Sequence, residues 1–259
     1  GLDDQTVSVD TLDDDVAGFT IEETDGSTEV DESGSTDIFT IVLDAQPTND
    51  VVVLATASND ETEATVSGSI TFTSENWDTP QTVTVTGVDD DLVDGDQTYD
   101  ITISIVDTIS DDEFDGVADQ SVSSTTLDDD APGFTIEETD AATEVDESGS
   151  TDIFTVVLDA QPTSDVVLTI TSDDTGEATV PASVTFTAAD WDTPQTVTVT
   201  GVDDSIIDGT VTSTITVAVD DANSDDDFDG LDDQTVSVDT LDDDVAGFTI
   251  EETDGSTEV

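Results

Sequence analysis

From Thr98 to Ile105 the chain alternates without a break: Tyr99, Ile101, Ile103 and Ile105 are apolar, while Thr98, Asp100, Thr102 and Ser104 are polar. Alternation at period 2 predicts a strand with one dry and one wet face. Thr82-Val83-Thr84-Val85-Thr86 and Thr235-Val236-Ser237-Val238-Asp239 predict the same. Asp-Gly pairs, which favour tight hairpin turns, punctuate the chain at Asp25-Gly26, Asp94-Gly95, Asp115-Gly116, Asp208-Gly209 and Asp229-Gly230. The pattern gives seven or eight strands per repeat and no helix. It predicts an all-β fold of tandem, Ig-like antiparallel β-sandwich domains. Trp77 and Trp191 are expected as core or corner aromatics.

The strands recur. GFTIEETD opens at Gly18, Gly133 and Gly247, spacings of 115 and 114 residues, and residues 1–30 return unchanged at 230–259. Both full copies contain WDTPQTVTVTGVDD, from Trp77 and from Trp191. Their one-residue difference in length falls between Asp50 and Ala64, opposite Asp165 and Ala178. The expected division is a last strand of a preceding repeat at 1–16, sandwich repeats at 17–130 and 131–244, and first strands of a following repeat at 245–259. About 114 residues suffice for a self-contained core. A tandem array of near-copies fits a stalk, fibre or multivalent binder, part of a longer parent.

Composition then removes whole classes of chemistry. The 259 residues include 68 Asp and Glu and no Lys, Arg, His, Cys or Met, for a net charge of -68. Nucleic acid and anionic membranes both demand cations on the protein, so neither is an expected partner. No triad, thiol nucleophile or Schiff-base lysine can be built. Soft-metal sites lack their ligands. Such charge ordinarily predicts disorder. The 34% of hydrophobic residues, set among Thr in strand patterns, argues for a packed fold instead.

The acids gather where strands end. Copy one has Asp89-Asp90-Asp91, Asp94 and Asp96, then Asp111-Asp112-Glu113 and Asp115, then Asp128-Asp129-Asp130. Copy two has Asp203-Asp204 and Asp208, then Asp225-Asp226-Asp227 and Asp229, then Asp242-Asp243-Asp244. Two like charges ~4 Å apart cost about 1 kcal/mol even in water and several-fold more near a protein surface. With no basic side chain, a divalent cation is the natural counter-charge. Oxygen-only donors indicate Ca²⁺ or Mg²⁺, and flexible carboxylate clusters suit the larger Ca²⁺. The competing reading is a uniformly solvated, salt-adapted surface. Triplets at strand ends favour the metal. An EF-hand loop and a glycine-rich nonapeptide are both absent. A carboxylate-pair glycosidase carries no weight where dozens of acids make pairs by chance.

The loop Val88-Asp89-Asp90-Asp91-Leu92-Val93-Asp94-Gly95-Asp96, the opening Phe-x-Ile-Glu, the segment Val30-Asp31-Glu32-Ser33-Gly34 and the terminal Asp triplet resemble Calx-beta domains. Tandem Calx-beta-like repeats occur in secreted bacterial adhesins and surface fibre proteins. The resemblance covers each whole repeat and implies Ca²⁺ at one end of the sandwich, several ions per repeat, at the domain junctions. In copy one it implies Glu22 or Glu23, Asp60, Asp89, Asp90, the Leu92 carbonyl, Asp94, and Asp128, Asp129 and Asp130. In copy two it implies Glu137 or Glu138, Asp173 or Asp174, Asp203, Asp204, the Ile206 carbonyl, Asp208, and Asp242, Asp243 and Asp244. The family usually carries Glu where Asp94 and Asp208 stand, and a further acid where Gln97 and Val211 stand.

The expected function is that of a non-enzymatic, calcium-binding structural repeat segment of an extracellular or cell-surface protein. Calcium at the Asp-triplet hinges would rigidify a stalk or filament serving adhesion, biofilm or cell–cell linkage. Its partners would be neighbouring repeats of the same chain, or other copies in a fibre. The alternative is an adhesive module presenting repeated surfaces, such as the Thr82, Thr84 and Thr86 row, to glycan, ice or mineral. A chain without Lys or Arg also offers trypsin-like proteases nothing to cut.

Overall fold

A computed structural model describes residues 4–12, 14–24, 26–58, 62–140 and 142–251. The chain divides into two compact units, one of residues 1–90 and 95–129, the other of residues 91–94 and 130–259. Each is a two-sheet sandwich.

The first unit runs β1 (Phe19–Glu23), β2 (Thr28–Asp31), β3 (Thr36–Leu43), β4 (Val51–Ala57), β5 (Ala64–Val66), β6 (Ile70–Phe72), β7 (Gln81–Gly87), β8 (Gln97–Ile105) and β9 (Gln120–Leu127). The second runs β10 (Phe134–Glu138), β11 (Thr143–Asp146), β12 (Thr151–Leu158), β13 (Val166–Ser172), β14 (Ala178–Thr179), β15 (Ser183–Phe186), β16 (Gln195–Gly201), β17 (Val211–Val219) and β18 (Gln234–Leu241). The sheets are ordered β1-β3-β7-β5 and β2-β9-β8-β4-β6 in the first unit, and β10-β12-β16-β14 and β11-β18-β17-β13-β15 in the second. Nine described strands per unit stand where seven or eight are expected. The opening stretch splits between the sheets, as β1 and β2, and β5 and β6 are only three residues each. The split also makes β2–β9 and β11–β18 parallel pairs in otherwise antiparallel sheets. Three short 3-10 turns are the helical content among the described residues.

Alternation translates directly into packing. Tyr99, Ile101, Ile103 and Ile105 of β8 are buried, as are Val83 and Val85 of β7 and Val236 and Val238 of β18. Phe39, Phe72 and Phe114 anchor one core, and Phe154, Phe186 and Phe228 anchor the other. Trp77 and Trp191 pack partly buried against these cores, and their carbonyls accept the Leu43 and Leu158 N–H groups. Glycines of the Asp-Gly turns, Gly26, Gly95, Gly116, Gly209 and Gly230, all have positive φ. Residues 4–16 (13 aside) and 245–251 form no strand, and their apolar side chains, Val7, Val9 and Phe248 among them, are exposed.

One loop in each unit closes around a buried aspartate. Asp225 accepts hydrogen bonds from Thr163 Oγ1 (2.7 Å), the Ser164 N–H (2.6 Å), Ser164 Oγ (3.2 Å) and the Asp227 N–H (3.2 Å). Burial pushes its carboxyl up, but these donors outweigh burial and leave it below the usual carboxylate range. Asp111 holds the same place in the first unit, lowered by the amides of Asn49 and Glu113 and the Thr48 hydroxyl.

Candidate metal centre

The second unit builds its carboxylate site from three segments. The first follows β11. Asp146 Oδ1 accepts the Ser148 N–H at 2.8 Å, and Asp146 O accepts the Gly149 N–H at 3.1 Å. That hydrogen bonding to Ser148 holds the Asp146 carboxyl below its ordinary range. Gly149 has a φ of 90°, and the chain turns sharply enough to tuck Glu147 inward. The Glu147 N–H donates to Leu241 O at 3.1 Å, and its side chain is 1% exposed. Gly201 makes this possible, because a Cβ there would lie 2.2 Å from Asp146 O.

The second segment is the turn Asp173-Asp174-Thr175-Gly176-Glu177. Asp174 Oδ1 accepts the Gly176 N–H at 2.9 Å, and Asp174 O accepts the Ala178 N–H at 3.1 Å. Glu177 lands 7% exposed at the head of β14. The third is the acidic loop after β16 together with the run after β18. Asp204 Oδ1 accepts the Ile206 N–H at 2.6 Å. Asp242 accepts the Gly209 N–H at 2.8 Å and the Asp244 N–H at 2.8 Å, which ties the loop to the run.

These segments converge. Glu147, Asp242 and Asp244 offer oxygens within 4.8 Å of one another, and so do Glu177, Asp204 and Asp208. Oxygens sharing one Ca²⁺ at 2.3–2.6 Å lie at most ~5 Å apart, so the spacing fits a common ion. Glu147 Oε2, Glu177 Oε2 and Asp244 Oδ2 are buried without a hydrogen-bond partner. Buried, unpartnered carboxylate oxygens are costly unless a cation meets them. Burial first, and the charges of Asp242, Asp204 and Asp208 second, push the Glu147 carboxyl up. Glu177 is raised by burial, then by Asp208, Asp174, Asp204 and Asp242. Asp244 is raised by burial, then by Asp242, Asp243, Asp204 and Asp203. Asp242 moves the other way, held down by the amides of Gly209 and Asp244. All donors are hard oxygens, and the residues present fit Ca²⁺.

The first unit repeats the construction. Asp31 is lowered by the hydroxyl and amide of Ser33, Gly34 has a φ of 90°, and a Cβ on Gly87 would lie 2.1 Å from Asp31 O. Glu32 is 1% exposed, with oxygens within 4.8 Å of those of Glu63 and of Asp90. Asp128 accepts the Gly95 N–H at 2.7 Å. Asp129 is raised by burial, then by the charges of Asp31, Asp89 and Asp128. Asp94 and Asp130, both half-buried, belong to the second unit.

Among the residues expected from the sequence, Asp204, Asp208, Asp242 and Asp244 are thus gathered in one unit, and Asp90 in the other. Asp203 and Asp243 lie beside them as charges acting on Asp244. Asp173 accepts the Thr214 N–H, and Ile206 is 62% exposed in the loop. Leu92 pairs with Gln161. Glu22, Glu23, Glu137 and Glu138 lie on β1 and β10, outside the carboxylate groups, and Glu138 accepts from Thr143 Oγ1. Asp60 lies outside the described residues. Four residues were missed by position: Glu32, Glu63, Glu147 and Glu177. A signal existed for two of them, a Glu directly before a short strand, in Glu63-Ala64-Thr65 and Glu177-Ala178-Thr179.

No protein-family model matches the chain, and no curated protein matches it. Among solved structures it is similar to the calcium binding domain CBD12 of CALX1.1, at 15% identity over 77% of this chain and 80% of that one, with a TM-score of 0.33. It is similar to domains 4 and 5 of the S-layer protein SbsC, at 15% identity over 88% and 99%, TM-score 0.33. It is also similar to the D00-D0 domain of Intimin, at 11% identity over 86% and 100%, TM-score 0.29.

Proposed function

We propose that this chain is a calcium-binding structural segment of an extracellular stalk or filament. One observation carries the reading: Glu147 and Glu177 are buried with unpartnered oxygens among further carboxylates, in a chain that has no cationic side chain. Divalent-cation binding joins Glu147 to Asp242 and Asp244, and Glu177 to Asp204 and Asp208. It thereby fastens the end of the sandwich to the chain that leaves it. Without metal the same carboxylates repel, and the exit of each repeat loosens. Repetition then converts a local staple into stiffness along an array. Two to four ions per repeat would offset only about 4–8 charges, and the remainder keeps the chain soluble.

The test is calcium titration calorimetry combined with thermal unfolding, in calcium and in chelator. Calcium should bind and raise Tm. Equal Tm in both, with no heat of binding, would leave the carboxylates as solvation and refute the reading.

The second reading, an adhesive surface, is favoured by the threonine rows. Thr82, Thr84 and Thr86 on β7 stand opposite Thr40, Ile38 and Thr36 on β3. In the second unit Thr196, Thr198 and Thr200 stand opposite Thr155, Ile153 and Thr151. Retention on polysaccharide, ice or mineral, lost on Thr84→Glu/Thr198→Glu, would support it; no retention of the parent chain would dismiss it.

A further inference from the structure

We propose that the second unit takes up an extended, cationic peptide segment of another protein as an added strand beside β10. The groove for it lies along one side of that sandwich, where the two sheets part. β10 ends its sheet, and no described strand pairs with its outer edge. Across the gap runs β18, which β11 joins only from Val238 onward. Gln234, Thr235 and Val236 therefore have β17 on one side and no described strand on the other.

Two adjoining cavities occupy the gap, and Gln234 borders both. One, of about 520 Å³, is lined by Ile136, Glu137, Glu138, Thr235 and Val236 as well. The other, of about 310 Å³, reaches Phe134, Asp159, Leu231 and Asp233. Together they follow all five residues of β10, roughly 17 Å of strand. Each has the volume of an ordinary ligand pocket.

The backbone of β10 is turned toward this space. Carbonyls of successive strand residues point to opposite edges. The Gly133 C=O accepts the Asp159 N–H at 3.0 Å, on the side of β12. The Phe134 C=O accepts the Gln234 side-chain amide, from across the gap. Ile136 and Glu138 share the parity of Phe134, so their N–H and C=O groups face the gap too. An open edge of this kind is a template for a further strand. A peptide added there draws affinity from main-chain hydrogen bonds and specificity from alternate side chains.

The walls define that peptide. Phe134 and Val236 are buried, and Ile136 and Leu231 half-buried, so the inner side is apolar. Glu137, Glu138, Asp159, Asp232 and Asp233 stand exposed around the rim, with no cationic side chain anywhere in the chain to pair with them. A strand whose inward residues are aliphatic and whose outward residues are Lys or Arg complements both. A second copy would bring 68 more acids and no base, so the occupant is a different protein. None of the grouped carboxylates of the metal centre borders the groove, which therefore works with or without bound calcium.

The probe is the capped peptide Lys-Val-Lys-Val-Lys. Ser237→Cys gives the full chain its one thiol, at an exposed position of β18 beside the groove, and a dye placed there reports on the second unit. At about 0.15 M salt, which screens charges beyond ~8 Å, the peptide should saturate the dye response below about 1 mM. The same peptide methylated on every backbone nitrogen keeps its charge and side chains but has no donors, and should bind at least ~10-fold more weakly. Ile136→Pro removes the outward N–H of β10, a change that edge strands tolerate, and should also weaken binding at least ~10-fold. Where Ile136→Pro lowers Tm, the methylated peptide makes the same comparison on the unaltered strand. No saturation, equal affinity for the methylated peptide, or parental affinity in Ile136→Pro would each overturn the proposal. A matching dye response to unlabelled parent chain would make a second copy the occupant, and would overturn it as well.

Discussion

Gly201→Ala tests how the site is assembled without touching a ligand atom. Gly201 ends β16, and an added Cβ would lie 2.2 Å from Asp146 O and 2.9 Å from Asp146 C. Relaxed heavy-atom contacts lie near 3.5 Å, so the Asp146 carbonyl must retreat by roughly 1 Å. Backbone on both sides is held by hydrogen bonds: Gly201 N–H to Ser150 O at 3.0 Å and Glu147 N–H to Leu241 O at 3.1 Å. The strain cannot be dispersed into a flexible side chain. Overpacking of this kind costs about 1–3 kcal/mol, which lowers the Tm of a unit this size by roughly 4 °C per kcal/mol. Glu147 follows Asp146 directly and moves with it, whereas metal–ligand distances tolerate only about 0.2 Å. Loss of an outer-sphere support typically weakens metal binding ~10–100-fold. Calorimetric titration should therefore show the second unit's sites weakened by at least ~10-fold, while the first unit's sites serve as the internal reference. Gly68→Ala is the control, since nothing lies within 4 Å of a Cβ there and the second repeat already has Ala182 at that place. Parental calcium affinity together with parental Tm in Gly201→Ala would refute the reasoning.

The other predictions concern protons, one keystone and one pair of hydroxyls. In chelator, Glu147, Glu177, Asp129 and Asp244 have carboxyls raised above the ordinary range, so the folded chain holds more protons than the unfolded one. Stability should then rise as pH falls from neutral toward roughly pH 4, where the unfolded carboxylates also protonate. Glu147→Gln/Glu177→Gln should flatten that slope relative to the parent in pH-dependent thermal unfolding, and an unchanged slope would sink the assignment. Below roughly pH 4 the lowered carboxyls of Asp111, Asp146, Asp225 and Asp242 protonate in turn, and the stability they confer is lost. In calcium the sign reverses above pH 4, because protons compete with the metal. Asp225→Ala leaves the buried donors of Thr163 and Ser164 unmet and should cost about 2–4 kcal/mol by denaturant unfolding; a cost below 1 kcal/mol would contradict the keystone role. Tyr99→Phe removes the acceptor of the Ser124 and Thr126 hydroxyls, both at 3.2 Å, and should cost about 1–3 kcal/mol, whereas Ser213→Ala deletes a buried hydroxyl without a partner and should cost nothing.

Strands were legible because period 2 is visible residue by residue: the odd positions of β8 and the valines of β7 and β18 are the buried ones. Turns were legible because Asp-Gly has few alternatives. The carboxylate groupings were half legible. Acids that crowd in sequence, Asp203-Asp204 and Asp242 to Asp244, announce themselves as a cluster. Glu147 and Glu177 do not, because the placement of each depends on a long-range fact. For Glu147 that fact is the missing Cβ of Gly201, some fifty residues away in the chain. For Glu177 it is the short strand β14, which pairs Ala178 with the same Gly201.

The two repeats also act as a controlled comparison, since they share one chain. Where packing alone is at stake, they vary together. Tyr99 faces Ser124 across β8 and β9, while Ser213 faces Val238 across β17 and β18. A hydrogen-bonding aromatic with a small partner has been exchanged for a small residue with an aliphatic one. The acidic loop exchanges Asp91 for Ser205 and Asp96 for Thr210, but the grouped carboxylates do not change. Glu32 and Glu147, Glu63 and Glu177, Asp90 and Asp204, Asp128 and Asp242 are matched acid for acid, as are the supporting Gly87 and Gly201. A surface selected only for solvation would be free to move its charges, since any exposed position serves. Exposed acids such as Asp44 and Asp159 match as well, so burial rather than matching is what sets Glu32, Glu147 and Glu177 apart: they solvate nothing. On the function proposed above, the acidity divides in two: exposed carboxylates would keep the chain in solution, and the buried Glu32, Glu147 and Glu177 would meet a cation.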